Sequence, residues 1–372
     1  MGNFRHHSFC SNGIYLLLQK THSIVPPTSS GCRGRGFRKW RHGSAGKHRS
    51  FAILKSYKNV IVDIERCPDS NNLVCGRVER FEYKMPPPDK YELPRKNIKI
   101  IDDAGAGHFG KVYKCRAKRL PGSTEKYTTV AAKTLKDGYG DKELKTFVME
   151  LHVLKTLKQH TNVLKFLGCC SQAGDLLLIT EFVSQGDLLN YVKSHQLEQH
   201  LIPVYMKQVV HGMQFLHVNG LVHRDLAARN VLVDGEEGNL TMKISDFGST
   251  RAFDQGRSYI WTTATVLNFR WMAPETERTK IFSAASDLWS FGVLLWEVMS
   301  MGKVPFSDIT DRPELLEILE KHFFMEKPEN CPDRIYDIMV GCWQLDPASR
   351  LKSERVLTML QEIMDEENAD AP

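Results

Sequence analysis

Apolar and polar positions change their rhythm once along this chain, near Gly186. Before that point short alternating runs dominate. Tyr113, Cys115 and Ala117 alternate with Lys114, Arg116 and Lys118, the period-two pattern of a half-buried strand. Lys111 to Lys118, Thr128 to Leu135, Val163 to Cys170 and Leu176 to Phe182 are predicted as strands. One segment among them keeps helical spacing, with Leu144, Phe147, Val148, Leu151, Leu154 and Leu157 on one face. Beyond Gly186 the pattern turns helical. The run Leu288 to Met299 is nearly all apolar, preceded by Asp287 and interrupted by Glu297. It is too short to cross a bilayer and predicts a buried central helix. Val356, Leu357, Leu360 and Ile363 form a last amphipathic face before an acidic end.

The expected fold class is α+β: a small β-rich lobe with one helix, then a larger, mainly helical lobe, with a cleft between them as the natural ligand site. Triple proline Pro86 to Pro88 marks a stiff extended linker, because proline restricts both its own backbone and its predecessor's. The expected organisation is a tail over 1–70, a linker over 71–97, a folded unit over 98–364 divided at 183/184, and an acidic end over 365–372.

Charge sharpens the picture of the tail. Met1 to Val62 contains no Asp or Glu, while Arg33, Arg35, Arg38, Lys39, Arg41, Lys47 and Arg49 crowd together in a chain of net charge +6. With its Gly, Ser and His and no sustained period, this stretch reads as a solvated, disordered segment. A patch for anionic membrane or nucleic acid, or a transit peptide, is the competing reading. Nine cysteines lack any CxxC pair, which points to a reducing compartment rather than a disulfide framework or metal site. No apolar run reaches a membrane span, and Gly2 is followed by His6 where a myristoylation signal needs Ser or Thr.

Four motifs then carry chemistry. Gly105, Gly107 and Gly110 form a GxGxxG followed by a strand rather than a helix, so the loop reads as a hairpin flap over phosphates, or as a plain structural turn. Lys133 lies among apolar strand neighbours and needs a counter-ion; Glu150, beside the apolar face of the following helix, is the candidate. The pair can hold phosphate oxygens or simply brace the lobe. In HRDLAARN, Asp225 can accept a hydroxyl proton and Asn230 can lend an oxygen to a divalent cation. In DFG, Asp246 adds a second carboxylate of the hard-oxygen type that Mg²⁺ prefers.

The ordered succession of these motifs, from about Ile98 to Met364, resembles the protein kinases. Ala227, Ala228 and Arg229 look like the tyrosine-specific catalytic loop, and RWMAPE, SDLWSFGVLLWE, MEKPENCP and GCWQLDPASR look like receptor tyrosine kinases. YELPRKNI resembles the segment that enters the domain in fibroblast and platelet-derived growth factor receptors. The resemblance implies a bilobal kinase fold and an ATP-dependent protein tyrosine kinase with ATP and Mg²⁺ as cofactors. It implies Asp225 as base, Lys133 with Glu150 on the nucleotide, Arg229 positioning the acceptor hydroxyl, and Asn230 with Asp246 on the metal. Thr180 matches the gatekeeper, with Glu181 and Val183 offering backbone groups to adenine between Val112, Ala131 and Leu232. Glu275 with Arg350 would be an internal brace.

The chain also departs from its relatives. Ser258 precedes Tyr259 where paired tyrosines are common, Thr265 replaces glycine, Asn268 replaces proline and Ser249 follows DFG. Ala104, ahead of the first glycine, and Leu351 read as packing changes. Tyr259 is the expected autophosphorylation site, its phosphate gripped by Arg224 or Arg251; an unmodified packed tyrosine is the plain reading. Tyr57, Tyr83 and Tyr91 read first as ordinary loop tyrosines. Expected partners are tyrosine-containing protein substrates and a second copy for trans-autophosphorylation, with the basic tail near an anionic membrane and no nucleic acid. The expected setting is cytoplasmic, at the inner face of the plasma membrane if a spanning segment lies upstream. The competing function is a kinase-shaped scaffold that binds nucleotide or partners without transferring phosphate.

Overall fold

The computed structural model describes residues 88–369, except 107–109, 137, 173–175, 253–258, 261–267 and 323; at 106, 252, 259, 260 and 368 only the backbone is described. The tail, most of the linker, Gly107, Ser258 and Thr265 therefore lie outside the described residues.

The alternating residues build one antiparallel sheet. β1 (Ile98–Ala106), β2 (Gly110–Lys118), β3 (Tyr127–Leu135), β4 (Phe166–Cys170) and β5 (Leu177–Glu181) lie in the order β1-β2-β3-β5-β4. The helix predicted among them is α1 (Asp141–Thr156), which buries Leu144, Phe147, Val148, Leu151 and Leu154. Its start is held by the Gly140 N–H donating 2.9 Å to the Glu143 carboxylate.

Period two explains the two faces of this sheet. Cys169 and Leu178 join the main core with α1, while Cys170, Leu177 and Ile179 join a second core with Cys115, Ala117, Val130 and Ala132. The adjacent cysteines thus point to opposite faces, and both are free thiols. Burial pushes the Cys169 thiol up to about 12 and that of Cys170 to about 11, so neither is a reactive thiolate.

One strand boundary differs from expectation. The strand expected over 163–170 starts at Phe166, because the preceding residues cross to the other lobe: the Leu164 N–H donates 2.9 Å to the Ile244 carbonyl and the Asn162 amide 3.0 Å to that of Met242. The last residues ahead of Ile98 are docked on β4. The Leu93 N–H donates 2.8 Å to Cys169, the Cys169 N–H donates 2.9 Å to Tyr91, and Leu93 is buried. The Glu92 carboxylate accepts from the Ser171 N–H at 2.7 Å and hydroxyl at 2.6 Å. A Cβ on Gly168 would lie 2.8 Å from the Tyr91 carbonyl oxygen, so this close approach requires glycine.

The second lobe is mainly helical: α2 (Leu188–Ser194), α3 (Ile202–Val218), α4 (Pro274–Thr279), α5 (Ala284–Met299), α6 (Arg312–Glu320), α7 (Asp333–Cys342) and α8 (Ser353–Ala369). Short strands β6 (Leu221–Val222), β7 (Val231–Glu236), β8 (Asn239–Ile244), β9 (Arg251–Ala252), β10 (Tyr259–Ile260) and β11 (Ile281–Phe282) frame its loops. α5 is the expected central helix, capped by Ser283, whose hydroxyl accepts from the Ser286 N–H, and buried along nearly its whole length. α8 buries Val356, Leu360 and Ile363 and continues through the acidic residues to Ala369. Among the described residues no helix is long and apolar enough to cross a membrane.

Candidate functional site

The site begins on the first lobe. β3 carries Lys133 and α1 carries Glu150, and their side chains meet with the Lys133 ammonium 2.9 and 2.8 Å from the two carboxylate oxygens. The ammonium also donates 3.3 Å to Asp246 Oδ1, from the second lobe. Burial alone would lower the pKa of Lys133, but the carboxylates of Asp246 and Glu150 outweigh it and hold the ammonium firmly charged. Burial likewise works to raise the Asp246 carboxyl, yet Lys133, His223 and the Gly248 N–H hold it below the usual carboxylate range.

The catalytic-loop residues form a second cluster. Asp225 Oδ1 accepts from the Arg229 guanidinium, and the Asn230 amide donates 3.0 Å to Asp225 Oδ2 and 2.6 Å to its carbonyl. Burial pushes the Asp225 carboxyl up, resisted by Arg229 and His223 and reinforced by Asp246. Ser245 joins the two clusters: its N–H donates 2.8 Å and its hydroxyl 3.0 Å to the Asn230 carbonyl, one residue before Asp246. Asp246 itself adopts a left-handed backbone, φ 59°, which turns the buried Phe247 ring edge-on to His223, centroids 5.7 Å apart. The Asp225 N–H donates 3.3 Å to His223 Nδ1, which leaves Nε2–H to donate 2.9 Å to the Ser245 carbonyl.

The remaining site residues line the approach. Val112, Ala131 and Leu232 are half-buried, and Ala131 lies opposite Thr180 in the β3–β5 register. The buried Thr180 hydroxyl donates 3.1 Å to the Glu181 carbonyl. The Glu181 carboxylate is already occupied, accepting from the Lys165 N–H at 2.8 Å and paired with Lys243 at 3.2 Å. The N–H and C=O of Val183 bond to no other described residue. Gly110 sits where a Cβ would lie 2.0 Å from the Thr134 carbonyl oxygen, and Gly105 has φ 130°. Ala104 is exposed at a register shift beside Gly105 and makes no polar contact with the clusters. Tyr259 pairs through its backbone with Phe282; its side chain lies outside the described residues.

Two carboxylates on α5 complete the site without belonging to any motif singled out for chemistry. Asp287 accepts from the His223 N–H at 2.9 Å, the Arg224 N–H at 3.0 Å and His217 Nε2 at 2.9 Å. Glu297 accepts from the Ala228 N–H at 3.0 Å and Trp271 Nε1 at 2.8 Å, and the Arg229 guanidinium stacks 4.7 Å above that indole. One rigid helix therefore holds both ends of the loop that bears Asp225.

Residues 98–360 match the family described as protein tyrosine and serine/threonine kinase. The chain belongs to that family. Its curated relatives include the tyrosine kinase receptor Cad96Ca of Drosophila melanogaster, 36% identical over 74% of this chain and 37% of the receptor. The fibroblast growth factor receptor homolog 2 of the same organism is 35% identical over 72% of this chain and 28% of its own length. The tyrosine-protein kinase transforming protein Abl of Abelson murine leukemia virus is 38% identical over 70% of this chain and 34% of its own length. The kinase described here thus spans about a third of the relatives it matches. The bilobal α+β fold and the family read from the motifs both hold.

The donor set suits a divalent cation of the Mg²⁺ type. Asp246 Oδ1 is taken by Lys133 and Gly248, and the Asn230 amide nitrogen by Asp225, so Asp246 Oδ2 and the Asn230 carboxamide oxygen are the atoms left over. Both are hard oxygens. Among the described residues no three His, Cys, Asp or Glu side chains could cage a metal alone.

Proposed function

We propose that this chain is an ATP-dependent protein tyrosine kinase, transferring the γ-phosphoryl group of ATP to tyrosine hydroxyls of protein substrates. The observation that carries the reading is the joining of Lys133, Glu150 and Asp246 in one ion network, tied through Ser245 to Asp225 and Asn230. A scaffold has no need of a buried cation shared between two lobes, whereas phosphoryl transfer depends on holding phosphate, metal and acceptor in line.

Lys133 supplies the positive charge for the α and β phosphate oxygens, and Glu150 keeps it extended from α1. The backbone of Glu181 and Val183 would receive adenine between Val112, Ala131 and Leu232, with Thr180, Ala104, Gly105 and Gly110 assigned to the same nucleotide site and Gly107 assigned to it from the sequence alone. Asp225 accepts the phenol proton through its carboxylate, and Arg229, stacked on Trp271, orients it. Asn230 and Asp246 would hold Mg²⁺, which would supply positive charge against the negative charge that develops on the transferred phosphoryl group. We assign the catalytic unit to 98–364, with 89–97 docked on its sheet and α8 running past its end. Tyr259 is its autophosphorylation site, acting between copies. Five buried free cysteines among the described residues favour a reducing, cytoplasmic setting.

The deciding experiment incubates the purified chain with Mg-ATP and a glutamate–tyrosine copolymer, beside Asp225→Asn. Phosphate on tyrosine from the wild type, reduced by about 10³ or more in the variant, is the expected result. Equal signals from both would establish the non-catalytic scaffold.

A further inference from the structure

One face of β1, β2 and β3 carries side chains that take no part in the site above. Lys99 stands directly opposite Arg116, and Lys118 directly opposite Tyr127, so these four share a face while Cys115 and Ala117, alternating with them on β2, point into the second core. β1 bulges at Ile101, which is 49% exposed, and Tyr127 is 47% exposed. The Arg116 guanidinium and the Lys126 ammonium both lie over the Tyr127 ring, 5.9 and 5.7 Å from its centroid.

Like charges directly opposite each other weaken a strand pair. Lys99 and Arg116 have no carboxylate to offset that penalty: among the described residues, none of Lys99, Arg116, Lys118 and Lys126 makes an ion pair. The nearest carboxylates along the chain, Asp102 and Glu125, are exposed and pair with none of them. A lysine on an edge strand discourages pairing with a second sheet, which accounts for Lys99 on β1. It does not account for Arg116 and Lys118, because β2 is flanked on both sides, by β1 and β3.

Charge along the chain favours an extended anionic surface over a small anion. Residues 89–183 carry 17 Lys and Arg against 11 Asp and Glu, whereas residues 184–372 carry 18 against 28. A broad negative plane therefore attracts the first lobe, repels the second and turns the basic end of the molecule toward itself. A short acidic peptide feels only the charges within about 10 Å at 0.1 M salt, and it gives no reason for Ile101 and Tyr127 to stand exposed among cations. A bilayer gives one, since a tyrosine ring suits the boundary between headgroups and acyl chains.

We propose that this face of the first lobe docks on the anionic surface of a phospholipid bilayer, with Lys99, Arg116, Lys118 and Lys126 against the charged headgroups and Ile101 with Tyr127 at headgroup level. The docking does not depend on phosphoryl transfer, and it is measured without ATP.

Co-sedimentation of the full chain with phosphatidylcholine vesicles, with and without about one-third phosphatidylserine, tests the proposal. Wild type should bind the mixed vesicles and not the neutral ones. Each cation at such a surface contributes about fivefold in affinity, so Lys99→Gln, Arg116→Gln and Lys118→Gln together should weaken binding about 100-fold. Lys303→Gln, Lys321→Gln and Lys352→Gln together remove the same charge from exposed positions of the second lobe and should stay within about threefold of wild type. Both variants keep the basic tail, whose share cancels in the comparison. Urea unfolding shows whether each variant is folded; if the first is not, Lys99→Gln alone should lose about fivefold. Equal losses in the two triple variants, no loss in the first, or a wild type that ignores phosphatidylserine would each overturn the docking face. A first-lobe variant that keeps its vesicle binding but loses binding to duplex DNA would make this a nucleic-acid surface and overturn the lipid assignment.

Discussion

Two buried ion pairs in this kinase use the same chemistry for opposite ends. Arg350 is fully buried, and its guanidinium satisfies every direction at once: Glu275 at 2.9 and 3.1 Å, and the carbonyls of Gln344 and Ala285. Nothing is left over for a ligand. Lys133 sits with Glu150 at 2.8 Å but keeps 19% of its side chain exposed and leans at longer range on Asp246. A brace buries its charge completely, whereas Lys133 keeps part of its side chain exposed, with its three N–H groups on carboxylates and the longest of those bonds, to Asp246, the one a ligand can most readily displace.

Breaking each pair should separate activity from stability. Lys133→Met is expected to lower kcat/KM by on the order of 10²–10³, since a preorganised charge on the transferring group is lost. Steady-state kinetics beside a urea unfolding curve checks this, and the fold should survive because Glu150, whose carboxyl is already pushed up by burial and by Asp246, can take a proton in place of its lost counter-ion. A loss of activity explained wholly by unfolding would erase the distinction between the pairs.

Arg350→Met should do the reverse. It strands the Glu275 carboxylate and two carbonyls, an expected cost of about 3–5 kcal/mol in unfolding free energy. Protein that remains folded at low temperature should keep its kcat, because Arg350 touches neither Asp225 nor Lys133. A tenfold lower kcat at full folding would show that the brace reaches the site.

The meeting of Lys133 with Glu150 and of Asp225 with Asn230 was legible in the sequence, because HRDLAARN keeps its partners within a few residues and an ammonium among apolar strand neighbours called for the carboxylate beside the apolar face of α1. Their support was less so. Asp287 and Glu297 stood out as charges flanking and interrupting an apolar run, and a buried carboxylate must have donors. Those donors are mostly backbone N–H groups of a distant loop, which no residue type advertises. The docking of 89–97 escaped for the same reason, being built on main-chain bonds to β4. The opposite faces of Cys169 and Cys170 follow from period two alone. The side chain of Tyr259 and Gly107 lie outside the described residues, so the flap and the phosphorylation site stand on sequence.

A pH profile sharpens the contrast within the open cluster itself. Burial pushes Asp225 up while Lys133 and its neighbours hold Asp246 down, so the acid limb of kcat/KM belongs to Asp225. The base works unprotonated; activity should therefore fall about tenfold per unit as pH drops below an inflection lying above the ordinary 3.8. Arg229 opposes that shift, so Arg229→Gln should move the inflection to still higher pH. Comparing the two profiles at saturating Mg-ATP cancels titration of the nucleotide, and an unmoved limb would assign it to another group.

The smallest effect belongs to a third ion pair, Lys155 with Asp89 at 3.0 Å, which ties α1 to the docked segment. Lys155 is 10% exposed, but Asp89 is 41% exposed and screened by water. Asp89→Ala is therefore expected to cost at most about 1 kcal/mol, measured by urea unfolding in low and high salt, with the difference from wild type shrinking as salt rises. The docked segment should stay in place, since its Leu93 and Cys169 backbone bonds and the Glu92 contacts do not depend on this pair. A cost approaching that of Arg350→Met would mean that the segment clamps α1 far more tightly than exposure of the pair allows, and that exposure alone does not rank the three.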